Sequence, residues 1–202
     1  IRPNIHTIRR STTEAIRLPK RTIPNRNSFL LLTSAGNLYR GVQFVLDYFI
    51  SHPEYQLHWV VTAEQDVIAA YNNTISSIIH IQGFMYTTCD DFLDIVANCS
   101  FLIYPSNSEG GAPGCVLLGM RLGLIPIITH WIRLIDFDGQ YILRDCGIDG
   151  INEAINWVQG LTDEQINTMS TSCMQYVENN YTLQTFEEDF RNALKTIINN
   201  KQ

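Results

Sequence analysis

No stretch of this 202-residue chain approaches the ~20 consecutive apolar residues that a membrane-spanning helix needs, and no signal-peptide pattern stands at its start. Its five cysteines (89, 99, 115, 146, 173) are odd in number and scattered, with no C-x2-C pair. That argues against a disulfide frame or a zinc site and for reduced thiols in a cytoplasmic protein. The N-x-S/T triplets opening at Asn72, Asn98 and Asn180 then carry no glycan. Lysine is scarce, with Lys20, Lys195 and Lys201 alone. There is no Walker loop, no G-x-G-x-x-G fingerprint and no Ser–His–Asp order. Repeats and low-complexity tracts are missing too. Basic and aromatic residues do not interleave into a stripe, and the net charge is −6, which argues against nucleic acid as a partner. The first residue is Ile rather than Met, so the expectation is a piece of a longer chain.

The charge that is present lies unevenly. Residues 1–27 hold seven basic side chains (2, 9, 10, 17, 20, 21, 26) against Glu14 alone, giving +6, so with −6 overall residues 28–202 carry −12. Pro3, Pro19 and Pro24 punctuate the same stretch. Residues 1–27 read as a basic linker, and 28–202 as one domain of a size that buries a single good core. A solvated linker is the plain expectation for the basic stretch. Contact with an anionic membrane surface, or with a partner domain, is the sharper one.

From residue 28 the pattern alternates strand and helix, the sign of a doubly wound α/β domain with a parallel sheet. Strands are predicted at Ser28–Thr33, Leu57–Thr62, Ile78–Gln82, Phe101–Tyr104 and Ile125–Thr129, with a short edge strand at Tyr141–Leu143. Helices are predicted at Gly41–Ile50, around Glu64–Asn72, at Cys89–Asn98 and after Pro113. A helical tail follows: Ile151–Gln159, Thr162–Asn179 with Asp163 and Glu164 in its first turn, and Leu183–Asn199 capped by Thr182.

The loop Pro105-Ser106-Asn107-Ser108-Glu109-Gly110-Gly111-Ala112-Pro113-Gly114 joins a buried strand to a helix. In open parallel sheets that is where ligands bind, past the carboxyl end of a strand and facing the first turn of the next helix. Glycines let the backbone approach a bulky polar ligand, and Glu109 is the loop's one carboxylate able to read hydroxyls. As a plain alternative, Glu109 caps the helix. Arg40 is likewise a surface arginine unless something anionic meets it.

Pro105-Ser106-x-x-Glu109-Gly110 followed by Leu117-Leu118-Gly119-Met120-x-x-Gly123-x-x-Pro126 resembles the signature of the group 1 retaining glycosyltransferases of the GT-B fold. Gly36-Asn37-Leu38-Tyr39-Arg40-Gly41 is similar to that family's glycine loop, and Ile81-Gln82-Gly83-Phe84-Met85 to its strand-then-glycine segment. Three loops in the right order are far more specific than one glycine motif. The likeness covers about residues 27–200 and only the C-terminal, donor-binding half of such an enzyme. It implies a Rossmann-like domain, a nucleoside-diphosphate sugar as donor substrate, no cofactor and no metal. A missing N-terminal domain would bring the acceptor, so the chain alone would bind donor without turnover. Arg40 would neutralise the leaving diphosphate and Glu109 would hold the donor sugar; these are the expected catalytic residues. Gly36, Asn37, Gly83, Met85, Ser106, Gly110, Gly111 and Gly114 would line the donor site, the segment at Gly83–Met85 reading the base through its backbone.

The resemblance has departures. Leu118 stands where the family has a second glutamate for the ribose hydroxyls, and Asn37 where many members have an arginine. Both fit a second expectation, a degenerate module with a regulatory or assembly role. An epimerase or a phosphorylase on the same fold would need carboxylates, histidines or a cleft lysine that the motifs lack. His58 and His80 read as packed strand residues. His130, at a strand's carboxyl end, is a candidate to face the cleft, and Asp136 and Asp138 lie outside a metal-binding context.

Overall fold

The computed structural model describes residues 9, 17–19, 24–34, 36–61, 65–71, 79–134 and 137–199. Six strands form one parallel sheet: β1 (Ser28–Thr33), β2 (Gln56–Val61), β3 (Ile79–Gly83), β4 (Phe101–Tyr104), β5 (Ile125–Thr129) and β6 (Tyr141–Leu143). Their order is β3-β2-β1-β4-β5-β6. The helices are α1 (Val42–Ser51), α2 (Gln65–Tyr71), α3 (Asp90–Asn98), α4 (Gly114–Arg121), α5 (Ile148–Gly160), α6 (Asp163–Asn180) and α7 (Leu183–Asn199). Every element expected from the sequence is present, within a few residues at its ends. The expected ends of the strand at Thr62 and Ile78, and of the helix at Glu64 and Asn72, lie outside the described residues, as does Asp136. So does most of the basic stretch 1–27.

Strands β1, β4 and β5 are unbroken apolar runs because both faces are covered. On one face Phe29 meets Phe49 of α1 at 5.3 Å and Phe101 at 5.7 Å, and Phe101 meets Trp157 of α5. On the other face α4 lies so close to β4 that a Cβ at Gly119 would stand 3.0 Å from Leu102. The sequence pattern therefore places α1 and α4 on opposite sides. Since β1 runs on to β2 in one direction and β4 to β5 in the other, β1 and β4 flank the switch point of the sheet. The crevice at their carboxyl ends follows from that topology.

Helix α5 starts at Ile148, three residues ahead of the expected Ile151. The cause is local: Asp145 Oδ1 accepts the Gly147 N–H at 2.9 Å and turns the chain into the helix. That bond, with Arg144 beside it, holds the Asp145 carboxyl below its ordinary range. Helix α6 opens on a capping box between Thr162 and Gln165, and Thr182 Oγ1 accepts the Thr185 N–H at 3.1 Å to cap α7. In the basic stretch, Arg9 pairs with Asp189 of α7 at 2.8 Å, Arg17 with Asp90 of α3 and Arg26 with Asp163 of α6. These three arginines lie against the acidic body.

Candidate functional site

Between β1 and α1 the chain makes a tight turn: Gly41 N donates to Leu38 O and Val42 N to Asn37 O. Gly41 has φ 70°, and a Cβ there would come within 2.8 Å of the Pro105 carbonyl oxygen. Only glycine lets this turn press against the loop after β4. Asn107 N donates to Tyr39 O at 3.1 Å and ties the two loops together. Residues far apart in sequence, Arg40 and Glu109, thereby meet.

Arg40 Nε stands 3.7 Å from Glu109 Oε1, and both side chains are mostly buried, at 15% and 17% exposure. Arg40 also donates to Ser34 Oγ at 2.8 Å, and its guanidinium carbon lies 5.2 Å from the Tyr39 ring centre. Glu109 Oε1 accepts from Tyr104 Oη at 2.9 Å and from Ser106 Oγ at 3.2 Å. Ser106 is fully buried, and its carbonyl accepts from the hydroxyl of Thr129 at the end of β5. Burial pushes the Tyr104 phenol far above its ordinary value, so it remains a protonated donor to the carboxylate. Burial raises the Cys115 thiol as well, against the pull of Tyr104 and Arg40. That thiol is not primed as a nucleophile.

Helix α4 begins beside this pair. Its N-cap is Pro113, which supplies no side-chain acceptor, and its first turn holds no acidic residue. Gly114 thus stands at the positive end of the helix. A cleft of about 430 Å³ opens over these groups. Ser34, Arg40, Glu109 and Gly114 line it. So do Leu32, Thr33, Val60, Val61 and Leu118, and Phe84, Met85 and Thr87 from the segment after β3. Phe84 is 65% exposed and meets Tyr86 edge-on at 5.2 Å.

Of the ten expected site residues, Arg40, Glu109, Met85 and Gly114 line the cleft. Ser106 stands behind Glu109 as its hydrogen-bond donor. Gly110 and Gly111 lie in the loop with open space where a Cβ would be. Gly36 (φ 86°) and the fully buried Asn37 shape the turn ahead of α1, and Gly83 (φ 64°) ends β3. None of these is among the lining residues. His130 is exposed, stacks obliquely on Trp131 at 4.5 Å and does not line the cleft. Ser34, Tyr104, Val60 and Val61 were not among the expected site residues. Tyr104 had one signal, a hydroxyl closing an otherwise apolar strand. Among the described residues no group of three His, Cys, Asp or Glu could hold a metal, and no helix is long and apolar enough to cross a membrane. None of the five cysteines forms a disulfide.

Solved structures share this fold. The C-terminal domain of a group 1 family glycosyl transferase, LpcC from Francisella tularensis, matches with TM-score 0.63 at 12% identity, over 82% of this chain and 96% of that one. The fold is that of a glycosyltransferase domain. Anabaena HepE, solved with UDP and glucose, matches with TM-score 0.67 at 13% identity over 84% of this chain and 48% of its own. WaaG, a glycosyltransferase involved in lipopolysaccharide biosynthesis, matches with TM-score 0.66 at 15% identity, over 90% of this chain and 54% of that one. The chain thus spans about half the length of HepE and WaaG. No protein-family model and no curated protein matches the sequence.

Proposed function

We propose that the cleft binds a nucleoside-diphosphate sugar and that the chain is the donor-binding half of a retaining, metal-independent glycosyltransferase. The observation that carries this reading is the meeting of Arg40 and Glu109 beside the uncapped N-terminus of α4. The diphosphate lies against Arg40 and the α4 amides, where a fixed cation meets the charge that grows on the leaving group. Glu109, held by Tyr104 and Ser106, accepts hydrogen bonds from the sugar. An acceptor hydroxyl oxygen bonds to the anomeric carbon as the sugar–phosphate C–O bond breaks. The proton of that hydroxyl passes to the departing phosphate oxygen. Transfer occurs on one face, with retention.

The acceptor belongs to a second domain. In support, α7 buries Ala193 while Phe190, Leu194 and Ile197 remain over 40% exposed, a stripe suited to another domain's surface. Reduced thiols and the lack of a described spanning helix suit a cytoplasmic enzyme. Calorimetric titration of UDP, GDP and ADP into the chain tests the reading. One of them should bind, and Arg40→Ala should weaken it about tenfold or more, as loss of a charge-assisted contact does. Unchanged affinity in a folded Arg40→Ala variant would remove Arg40 from the site.

A further inference from the structure

Among the described residues that line the cleft, charge is confined to one pair, Arg40 and Glu109. Burial keeps the Tyr104 phenol and the Cys115 thiol protonated, so neither adds to it. The two charges already stand together, with Arg40 Nε 3.7 Å from Glu109 Oε1. Given the donor-site reading, on which this inference rests, the diphosphate claims Arg40. Glu109 then faces the transferred sugar with no second cation among the described lining residues. The surroundings supply none. His130 and Arg133, from the loop after β5, are exposed and do not line the cleft, and Asp138 of the same loop is exposed as well. Helix α3, which follows residues 84–87, opens on Asp90 and Asp91.

We infer that the cleft takes donors whose sugar is uncharged and turns away those whose sugar carries a carboxylate, the uronates. A carboxylate on the sugar would meet Glu109 as a like charge, and a like pair without a shared cation is disfavoured. A pyranose is small beside the Debye length, ~10 Å at 0.1 M salt, so no ring position takes its carboxylate out of reach of Glu109. The hydroxyls of a neutral sugar donate to Glu109 instead, whose Oε1 already accepts from Tyr104 and Ser106. Donors are thus sorted by charge, through the same carboxylate that holds the sugar.

The test is paired calorimetry on the whole chain: UDP-glucose against UDP-glucuronate, GDP-mannose against GDP-mannuronate, and ADP-glucose against ADP-glucuronate. Each pair differs only in a hydroxymethyl or a carboxylate on the ring. For the base that binds, the uronate should bind at least about tenfold more weakly than its neutral twin. A smaller gap overturns this inference and leaves the donor-site reading standing. If no conjugate and no bare nucleotide binds a folded sample, or Arg40→Ala weakens none of them, both fall. Glu109→Gln keeps the shape and a hydrogen-bonding group but removes the charge. It should close the gap to within about threefold by strengthening the uronate. A gap unchanged in folded Glu109→Gln would mean that shape excludes the carboxylate, and overturns the inference. Should Glu109→Gln fail to fold, salt decides on the unmodified chain. Raising it from about 0.05 M to about 0.5 M should narrow the gap, and a gap indifferent to salt overturns the inference.

Discussion

Glu109 illustrates how a carboxylate is fixed by its neighbours. Its Oε1 takes the Tyr104 hydroxyl at 2.9 Å and the Ser106 hydroxyl at 3.2 Å, with Arg40 at 3.7 Å, so the group is held before any ligand arrives. Tyr104 is buried, and besides donating to Glu109 it lines the cleft with its ring 6.0 Å from the Arg40 guanidinium carbon. Tyr104→Phe removes one hydrogen bond to a charged, partly solvated group, so stability should fall by about 1–2 kcal/mol. Its more telling effect is selective. Affinity for a bare nucleoside diphosphate should stay within about twofold, while the extra affinity for the sugar conjugate shrinks. Equal weakening of both ligands would mean that Tyr104 supports the whole cleft rather than the carboxylate.

At the scale of elements, strands β2 and β3 carry a second consequence of packing. His58 and His80 face each other in register, with ring centres 4.9 Å apart. Burial, and then the neighbouring His80, lower His58 from its ordinary 6.5 to about 4. The sign follows from proton uptake: between 6.5 and about 4 the unfolded chain takes a proton that the folded chain refuses. Stability therefore falls as the pH drops through this window, by on the order of 2 kcal/mol. His58→Gln should flatten that slope, read as denaturant midpoints between pH 7 and pH 4. A His58 imidazole titrating at its ordinary value by NMR would contradict the account.

The same scale marks what was legible in the sequence. Strand–helix alternation gave every element, because a parallel sheet buried on both faces must be written as apolar runs broken by turn residues. The N-terminus of α5 escaped because an Asp145–Gly147 turn, not a periodic pattern, starts it. Arg40 and Glu109 stood out through their loops. Ser34, Tyr104, Val60 and Val61 did not, since they join the cleft through strand order and loop packing, which are tertiary facts. Leu118 was visible as a departure, and the fold gives it a place in the cleft wall.

At the scale of the described fold, the switch point of the sheet positions the cleft. The acidic body carries −12 over residues 28–202, so the anionic donor we propose would be drawn by local features, Arg40 and the α4 amides, and not by overall charge. The arginines at 9, 17 and 26 pair with Asp189, Asp90 and Asp163 on three different helices. The central claim is that one end of the cleft holds the diphosphate while Glu109 reads the transferred sugar. The measurement that addresses it most directly is the titration of a nucleoside diphosphate and its glucose conjugate into the unmodified chain and into Glu109→Ala. The conjugate should bind about tenfold tighter than the bare nucleotide to the unmodified chain. Glu109→Ala should abolish that gain and leave the bare nucleotide within about twofold of its original affinity. A gain that survives in folded Glu109→Ala would contradict the account and place the sugar elsewhere.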